Sequence, residues 1–367
     1  MSSDFKYYAQ LKTISDFIHS NPELGYQEFQ ATKIQSDFLT QLGFHVDFPY
    51  SQFPTAFRVD FAPEWADENA KKWAFFSEYD ALKSLGHGCG HNLITVSALT
   101  AFIGAVERIK TEKLNLKVSL FGTPAEENFG GKIDLQQLGA FTDIDYGFIA
   151  HPYYRSGLDS GTLAVSRFDV AFHGKSSHAA TAPSEGINAL DAMIMLFNSI
   201  GLYRQQMDKN SMIHGIITNG GEMANIIPEL TEAHFYLRTT ENHLLTNLEQ
   251  RFEQMVEAAA LASNCKYDCT NRPNTYLASK QTTQLEEIIA QKFNELKWDN
   301  SYINEKISSD YANLSQDFPL CNFFFGITED NKKVPLHTDE FKQLAAKPYA
   351  LQQAIQAGLI IAESIFE

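Results

Sequence analysis

Apolar residues recur along this chain in short blocks that switch between helical and strand spacing. Two amphipathic helices open it, the second expected from about Gln27 to Leu42 with Gly43 as its stop. Strands are expected in TAFRVDFA and WAFFSEY, then a long helix from Leu93 to about Ile109. A strand in LNLKVSLFG, a loop and helix after PAEE, and a strand in YGFIA follow. Short apolar runs alternating with helical patterns predict an α/β domain: a mostly parallel sheet flanked by helices.

Around Gly161 the pattern changes. SRFDVAFHG alternates as a strand, NALDAMIMLFNSIGLYRQQ reads as a helix, and MIHGIITNG and LTEAHFYLRT read as two strands. HLLTNLEQRFEQMVEAAALAS is a second helix and CKYDCTNR a further strand. The order β-α-β-β-α-β is that of a ferredoxin-like α+β unit. The α/β pattern then resumes with QLEEIIAQKF, CNFFFGIT and ALQQAIQAGLIIAESIF. The reading is therefore an α/β domain over 1–163 and 275–367, interrupted by an inserted ferredoxin-like unit over 164–274.

Composition narrows the function. A formal net charge of −16 argues against nucleic acid or an anionic membrane as partner, since both need a basic footprint. The start lacks a basic segment followed by an apolar stretch, and no run is expected to approach the ~18 apolar residues of a membrane span. The expected compartment is the cytoplasm. Four cysteines in 367 residues do not suggest a disulfide framework. Cys265 and Cys269, four apart in an expected strand, would lie roughly 13 Å apart and could not bridge. Twenty-eight Phe and 15 Tyr point to an aromatic core.

The chemistry gathers where strands end. GHGCGHN, at 86–92, lies between a strand and a helix, and its Cys89 and His91 could aim a thiolate and an imidazole at one ion. His87, one step out, could be a ligand or could support one. Glu126 and Glu127 in GTPAEEN follow a buried strand; adjacent carboxylates suit a division between metal binding and proton transfer. His151 in IAHP ends another strand, and His337 in PLHTDEF stands before a helix. Each signal alone is weak, since lone histidines and glutamate pairs are commonly structural or solvated. Their convergence on one sheet edge is what a metal site on an α/β scaffold requires.

Taken together, HSNPELGYQEFQATK, GHGCGHNL, GTPAEENFGGK, HGKSSHAATAPSEGINALDA, NIIPE and LHTDEF resemble the aminoacylase, hippurate hydrolase and carboxypeptidase family of dinuclear metallo-amidohydrolases. The ending CGHN leans toward its aminobenzoyl-glutamate and β-alanyl-lysine dipeptidase subgroup. The resemblance implies a zinc-peptidase-like catalytic domain with an inserted lid that also dimerises. It implies Cys89, His91, Glu127, His151 and His337 as ligands of two divalent ions, zinc first, with manganese or cobalt as the other candidates. It makes Glu126 the general base and His178 a histidine that reaches across a dimer to the oxyanion. Asn225 and Arg238 fall where the family holds a substrate carboxylate or the reacting carbonyl. Asp80 is kept as a carboxylate orienting a ligand. The family's D-x-D-A-L-P appears here as Glu78-Tyr79-Asp80-Ala81-Leu82-Lys83, and SSDYANLSQDFP only loosely resembles its later Ser-x-Asp signature.

The implied reaction is hydrolysis of an amide in a small N-acyl amino acid or dipeptide, in a homodimer built through the lid. Two other readings remain open at this point. One is a non-catalytic relative with an occupied metal site, and the other makes Cys89 a thiol nucleophile beside a histidine.

Overall fold

The computed structural model describes residues 4–305 and 307–365. Contacts divide the chain into two compact units. One comprises the chain up to Gly161, Lys280–Glu305 and the chain from Ser309; the other comprises Thr162–Ser279 with Ile307 and Ser308.

In the first unit, helices α1 (Tyr8–Ser20) and α2 (Phe29–Gln41) precede strands β1 (Phe57–Phe61) and β2 (Lys71–Ser77). Helix α3 (His91–Glu112), strand β3 (Leu116–Gly122), helix α4 (Gly131–Gln137) and strands β4 (Tyr146–Tyr153) and β5 (Gly157–Asp159) follow. The second unit carries β6 (Ala164–His173), α5 (Ala189–Tyr203), β7 (Ser211–Asn219), β8 (Leu230–Thr239), α6 (Asn242–Ser263) and β9 (Lys266–Asn271). The chain then returns through α7 (Thr283–Leu296), β10 (Tyr302–Ile303), α8 (Tyr311–Leu314), β11 (Leu320–Gly326), α9 (Asp339–Ala345) and α10 (Pro348–Ser364).

The first unit's sheet has the order β1-β3-β2-β4-β11-β5-β10. Its centre is parallel, through β3–β2, β2–β4 and β4–β11. β1 is antiparallel to β3, and β5 is antiparallel to β11. Central parallel strands are covered on both faces, so they read as continuous apolar runs. In β2, Trp73 and Phe75 enter one core, shared with α1, α3 and α10, whereas Ala74 and Phe76 enter another with Phe121, Phe141 and Phe318. Strand alternation thus divides one aromatic run between two hydrophobic layers, and this is where many of the phenylalanines go.

Contrary to the sequence expectation, helix α3 is long and apolar enough by length and composition to cross a membrane, with a mean hydropathy of 1.3. Leucine, isoleucine, valine, phenylalanine and alanine keep the average high despite the interspersed threonines and glycine, and 83% of the window is buried. It packs on α10 closely enough that a Cβ on Gly358 would lie 2.4 Å from Ser97 O. Small residues at this crossing let two helices stack against the sheet.

The second unit's sheet has the order β7-β8-β6-β9, antiparallel throughout, with α5 and α6 providing its core. This is the ferredoxin-like arrangement. Two details depart from the sequence reading. Cys265 lies before β9 rather than in it, although all four cysteines are free thiols, as expected. His91 is the first residue of α3, which begins two residues earlier than the apolar periodicity indicates, because its polar opening turn faces a polar site.

Candidate active site and metal centre

Parallel strands deliver their following segments to one edge of a sheet. Glu78 and Asp80 follow β2 directly, the glutamate pair follows β3, and His151 lies near the end of β4. Cys89 and His91 come from the connection between β2 and α3, where Gly90 turns the chain with φ +73°. His337 adopts φ +60°, rare for a residue with a side chain. Its backbone N–H donates to Gly88 O at 3.1 Å, tying it to the Cys89 loop.

The side chains form two facing groups. Cys89, Glu127 and His337 offer donor atoms that all lie within 4.8 Å of one another, and so do Glu78, His91 and Glu126. Cys89 Sγ lies 2.7 Å from His337 Nε2. His91 Nε2 lies 3.7 Å from Glu127 Oε1 and 3.9 Å from Glu126 Oε2, so the groups adjoin. His151 Nε2 approaches the second group, 3.5 Å from Glu78 Oε2.

Supporting bonds set which nitrogen of each histidine faces inward. Asp80 divides its carboxylate: Oδ1 lies 3.1 Å from His91 Nδ1, and Oδ2 accepts from Glu127 N at 3.1 Å. One buried aspartate thereby orients an imidazole and the backbone of a neighbouring glutamate. For His151, Asn322 Nδ2 donates to Asp159 Oδ2 at 2.7 Å, leaving Asn322 Oδ1 as an acceptor 2.8 Å from His151 Nδ1. Nδ1 must carry the proton, and the Nε2 lone pair points into the site. Such outward bonds are how proteins set a ligating imidazole. His87 lies outside both groups, buried and stacked on His19 at 6.2 Å. Burial, then the charges of His91 and His19, push it down to about 3.

The electrostatics call for cations. Burial, followed by Glu78 and Glu127, raises the Glu126 carboxyl well above its ordinary range. Burial, followed by the Glu127 charge and hydrogen bond, raises the Cys89 thiol. Carboxylates, a thiol and outward-pinned imidazoles packed this closely match the donor chemistry of divalent metals. The residues fit metal ions.

Several participants were not singled out from the sequence. Glu78, Lys132 and Asp310 are each fully buried, with Lys132 Nζ 2.6 Å from Glu78 Oε1 and 2.7 Å from Asp310 Oδ1. Asn322 and Asp159 also escaped notice. The local hints were a lone asparagine in the apolar run LCNFFFG, the Glu78 substitution in the D-x-D-A-L-P motif, and the segment SSDYANLSQDFP that carries Asp310.

The remaining expected residues lie on the second unit. His178 is exposed, and its Nδ1 accepts from Ala180 N and Thr181 N, each at 3.2 Å, which places the ring proton on Nε2. Asn225 is its neighbour, since Ala179 N donates to Asn225 O at 3.0 Å. Arg238, half-buried on β8, donates to Ser308 Oγ at 2.9 Å and to His214 Nε2 at 3.3 Å.

Comparison with known proteins agrees with this geometry. The peptidase dimerisation domain model matches residues 160–264. The Xaa-Arg dipeptidase of Homo sapiens is 34% identical over 98% of this chain and 86% of its own length. One component of the p-aminobenzoyl-glutamate hydrolase of Escherichia coli is 28% identical over 70% of this chain and 56% of its own length. Among solved structures, a dinuclear metal-binding peptidase of Bacillus subtilis superposes with a TM-score of 0.72 at 17% identity, covering 99% of this chain and 100% of that one. With a dipeptidase relative at that identity along nearly its whole length, the chain belongs to the M20 family of metal-dependent peptidases and amidohydrolases.

Proposed function

We propose that this enzyme hydrolyses the amide bond of a dipeptide or N-acyl amino acid, with dipeptides ending in arginine or lysine as the leading class. One observation carries the reading: two three-donor groups, one holding Glu127 and the other Glu126, adjoin each other, with the Glu127 backbone pinned by Asp80. Similarity to the Xaa-Arg dipeptidase along almost the whole chain supports the dipeptide class.

Cys89, His91, Glu127, His151 and His337 would hold two divalent ions, zinc first and manganese or cobalt as the other candidates. Such ions supply polarisation of the scissile carbonyl and acidification of the attacking water. Glu126 takes the proton of that water and hands it to the departing amine. His178 donates from Nε2–H to the carbonyl oxygen as negative charge develops there. Asn225 and Arg238 clamp the substrate carboxylate. The working enzyme is a homodimer formed through the inserted unit. Ile216 on edge strand β7 and Leu202 on α5, 64% and 78% exposed, offer apolar surface for that contact. Its compartment is the cytoplasm, in keeping with four free thiols.

The close approach of Cys89 Sγ to His337 Nε2 favours a second reading, a thiol nucleophile with a histidine base. A nucleophilic thiolate needs positive surroundings, whereas Glu127, Glu126 and Asp80 push this thiol the other way. The metal reading therefore ranks first. Chelation followed by add-back of single metals, assayed on dipeptides with basic, neutral and acidic ends and on acetyl- and benzoyl-amino acids, tests it. Turnover that survives complete metal removal would transfer the role to the thiol.

A further inference from the structure

Glu78 occupies an unusual position for a residue that the sequence reading treated only as a departure from a motif. It is fully buried, and its two oxygens face different ways. Oε1 meets Lys132 Nζ at 2.6 Å, and Lys132 is in turn held by Asp310 through both Nζ and its backbone N–H. Oε2 makes no hydrogen bond. It lies 3.5 Å from His151 Nε2 and 3.6 Å from His91 Nε2. Both ring nitrogens belong to histidines whose Nδ1 is pinned outward, by Asn322 and by Asp80. Two imidazole nitrogens and one carboxylate oxygen thus converge on the same small volume.

We propose that Glu78 is a metal ligand, completing a site with His91 and His151, while Cys89, Glu127 and His337 form the other. This assignment rests on the metal reading above and adds a sixth ligand to it. Lys132 has a stated part: it engages Oε1, so that Oε2 alone turns to the ion, and it offsets part of the buried negative charge. The two sites then differ chemically. One presents sulfur, oxygen and nitrogen; the other presents two nitrogens and an oxygen, a set without thiolate that suits harder ions. The pair should load in sequence with unequal metal preference.

The bland alternative is that Glu78 only neutralises Lys132. Charge counting separates the two. Glu78, Lys132 and Asp310 together carry one net negative charge, so either Glu78→Gln or Asp310→Asn leaves the lysine in a neutral pair. The two variants remove the same charge from the same lysine, but only Glu78→Gln removes a ligand. Purified full-length chains equilibrated with buffered zinc or cobalt would be assayed for ions per chain, and cobalt-loaded chains for the near-ultraviolet thiolate band. Wild type and Asp310→Asn should bind about two ions per chain. Glu78→Gln should bind about one, or hold the second at least about tenfold more weakly, with the thiolate band retained. Should Glu78→Gln fail to fold, Glu78→Asp keeps the charge while withdrawing the oxygen, and it should weaken one ion while sparing the thiolate band. Equal ion content in wild type and both Glu78 variants would overturn the assignment alone. Equal losses in Glu78→Gln and Asp310→Asn would overturn it too, making the effect one of lysine placement. A wild-type chain that binds no ion would overturn the metal reading, and this assignment with it.

Discussion

Ala125 N–H donates to Glu28 Oε1 at 2.8 Å, joining the start of the chain to the glutamate loop 97 residues later. Ala125 has φ +61°, a left-handed conformation that costs an alanine roughly 1–2 kcal/mol. Its carbonyl accepts from Gly130 N at 2.9 Å, so the backbone on both sides of this residue is held. Glu126 and Glu127 follow immediately. The glutamate pair therefore depends for its direction on a buried carboxyl group that touches no substrate.

The first prediction concerns that anchor. Glu28→Ala strands the Ala125 N–H and should cost about 1–3 kcal/mol of stability, with a loss of turnover. Glu28→Gln keeps an acceptor and should retain most of the activity. The pH response separates them further. Burial, then the Asp80 charge, pushes the Glu28 carboxyl from 4.5 up to about 8. The folded chain thus holds this proton more tightly than the unfolded chain. Its contribution to stability is complete below pH 4.5 and is lost as pH rises toward 8. Urea unfolding of wild type across pH 5 to 8.5 should show that decline, and Glu28→Gln should flatten it. An identical decline in the variant would assign the proton elsewhere.

The second prediction separates the glutamates. Glu126→Gln should keep metal content near wild type while turnover falls by about two or more orders of magnitude, as loss of a general base does. Glu127→Gln should lower bound metal. Elemental analysis beside single-substrate kinetics checks both, and equal metal loss in the two variants would merge their roles.

The third concerns Cys89. A ligating thiolate is shielded by its ion, and removing the ion exposes a thiol that its acidic neighbours hold protonated. Alkylation at Cys89 should be slow in the loaded protein. In the metal-free protein it should accelerate only as pH rises above the ordinary thiol range. Mass spectrometry of labelled peptides reads it, and fast labelling indifferent to metal would mark a nucleophile.

The fourth tests whether a partner supplies His178. Co-refolding His178→Ala with Glu126→Ala chains makes half the dimers mixed, each with one intact site if the histidine crosses over. Activity should then recover to about a quarter of wild type for two-fold pairing. Mixed dimers no more active than either parent would keep His178 with its own chain.

The layers of this protein were legible because their signals are local. Continuous apolar runs mark buried parallel strands, and the β-α-β-β-α-β order marks the inserted unit. Cys89, His91, Glu126 and Glu127 were legible as candidates because each pair lies within one loop, where spacing alone says what can point together. The two shortest strands of the larger sheet were not. β5 and β10 have three and two residues, too short for periodicity, and exist because β11 and each other supply their hydrogen bonds.

By itself, the sequence determined the sheet order's ingredients, the candidate donors and the resemblance that ranked them. Tertiary structure alone decided how those donors are held. Lys132 and Asp310, 178 positions apart, meet where a buried charge must find its counter-charge. His151 and Asn322, 171 positions apart, meet because β4 and β11 are neighbours, and their bond selects the imidazole nitrogen that faces the site. No window of sequence contains either pair. Partner choice for a buried polar group is set by desolvation, which penalises every arrangement but the paired one and is defined only once the chain has closed around it.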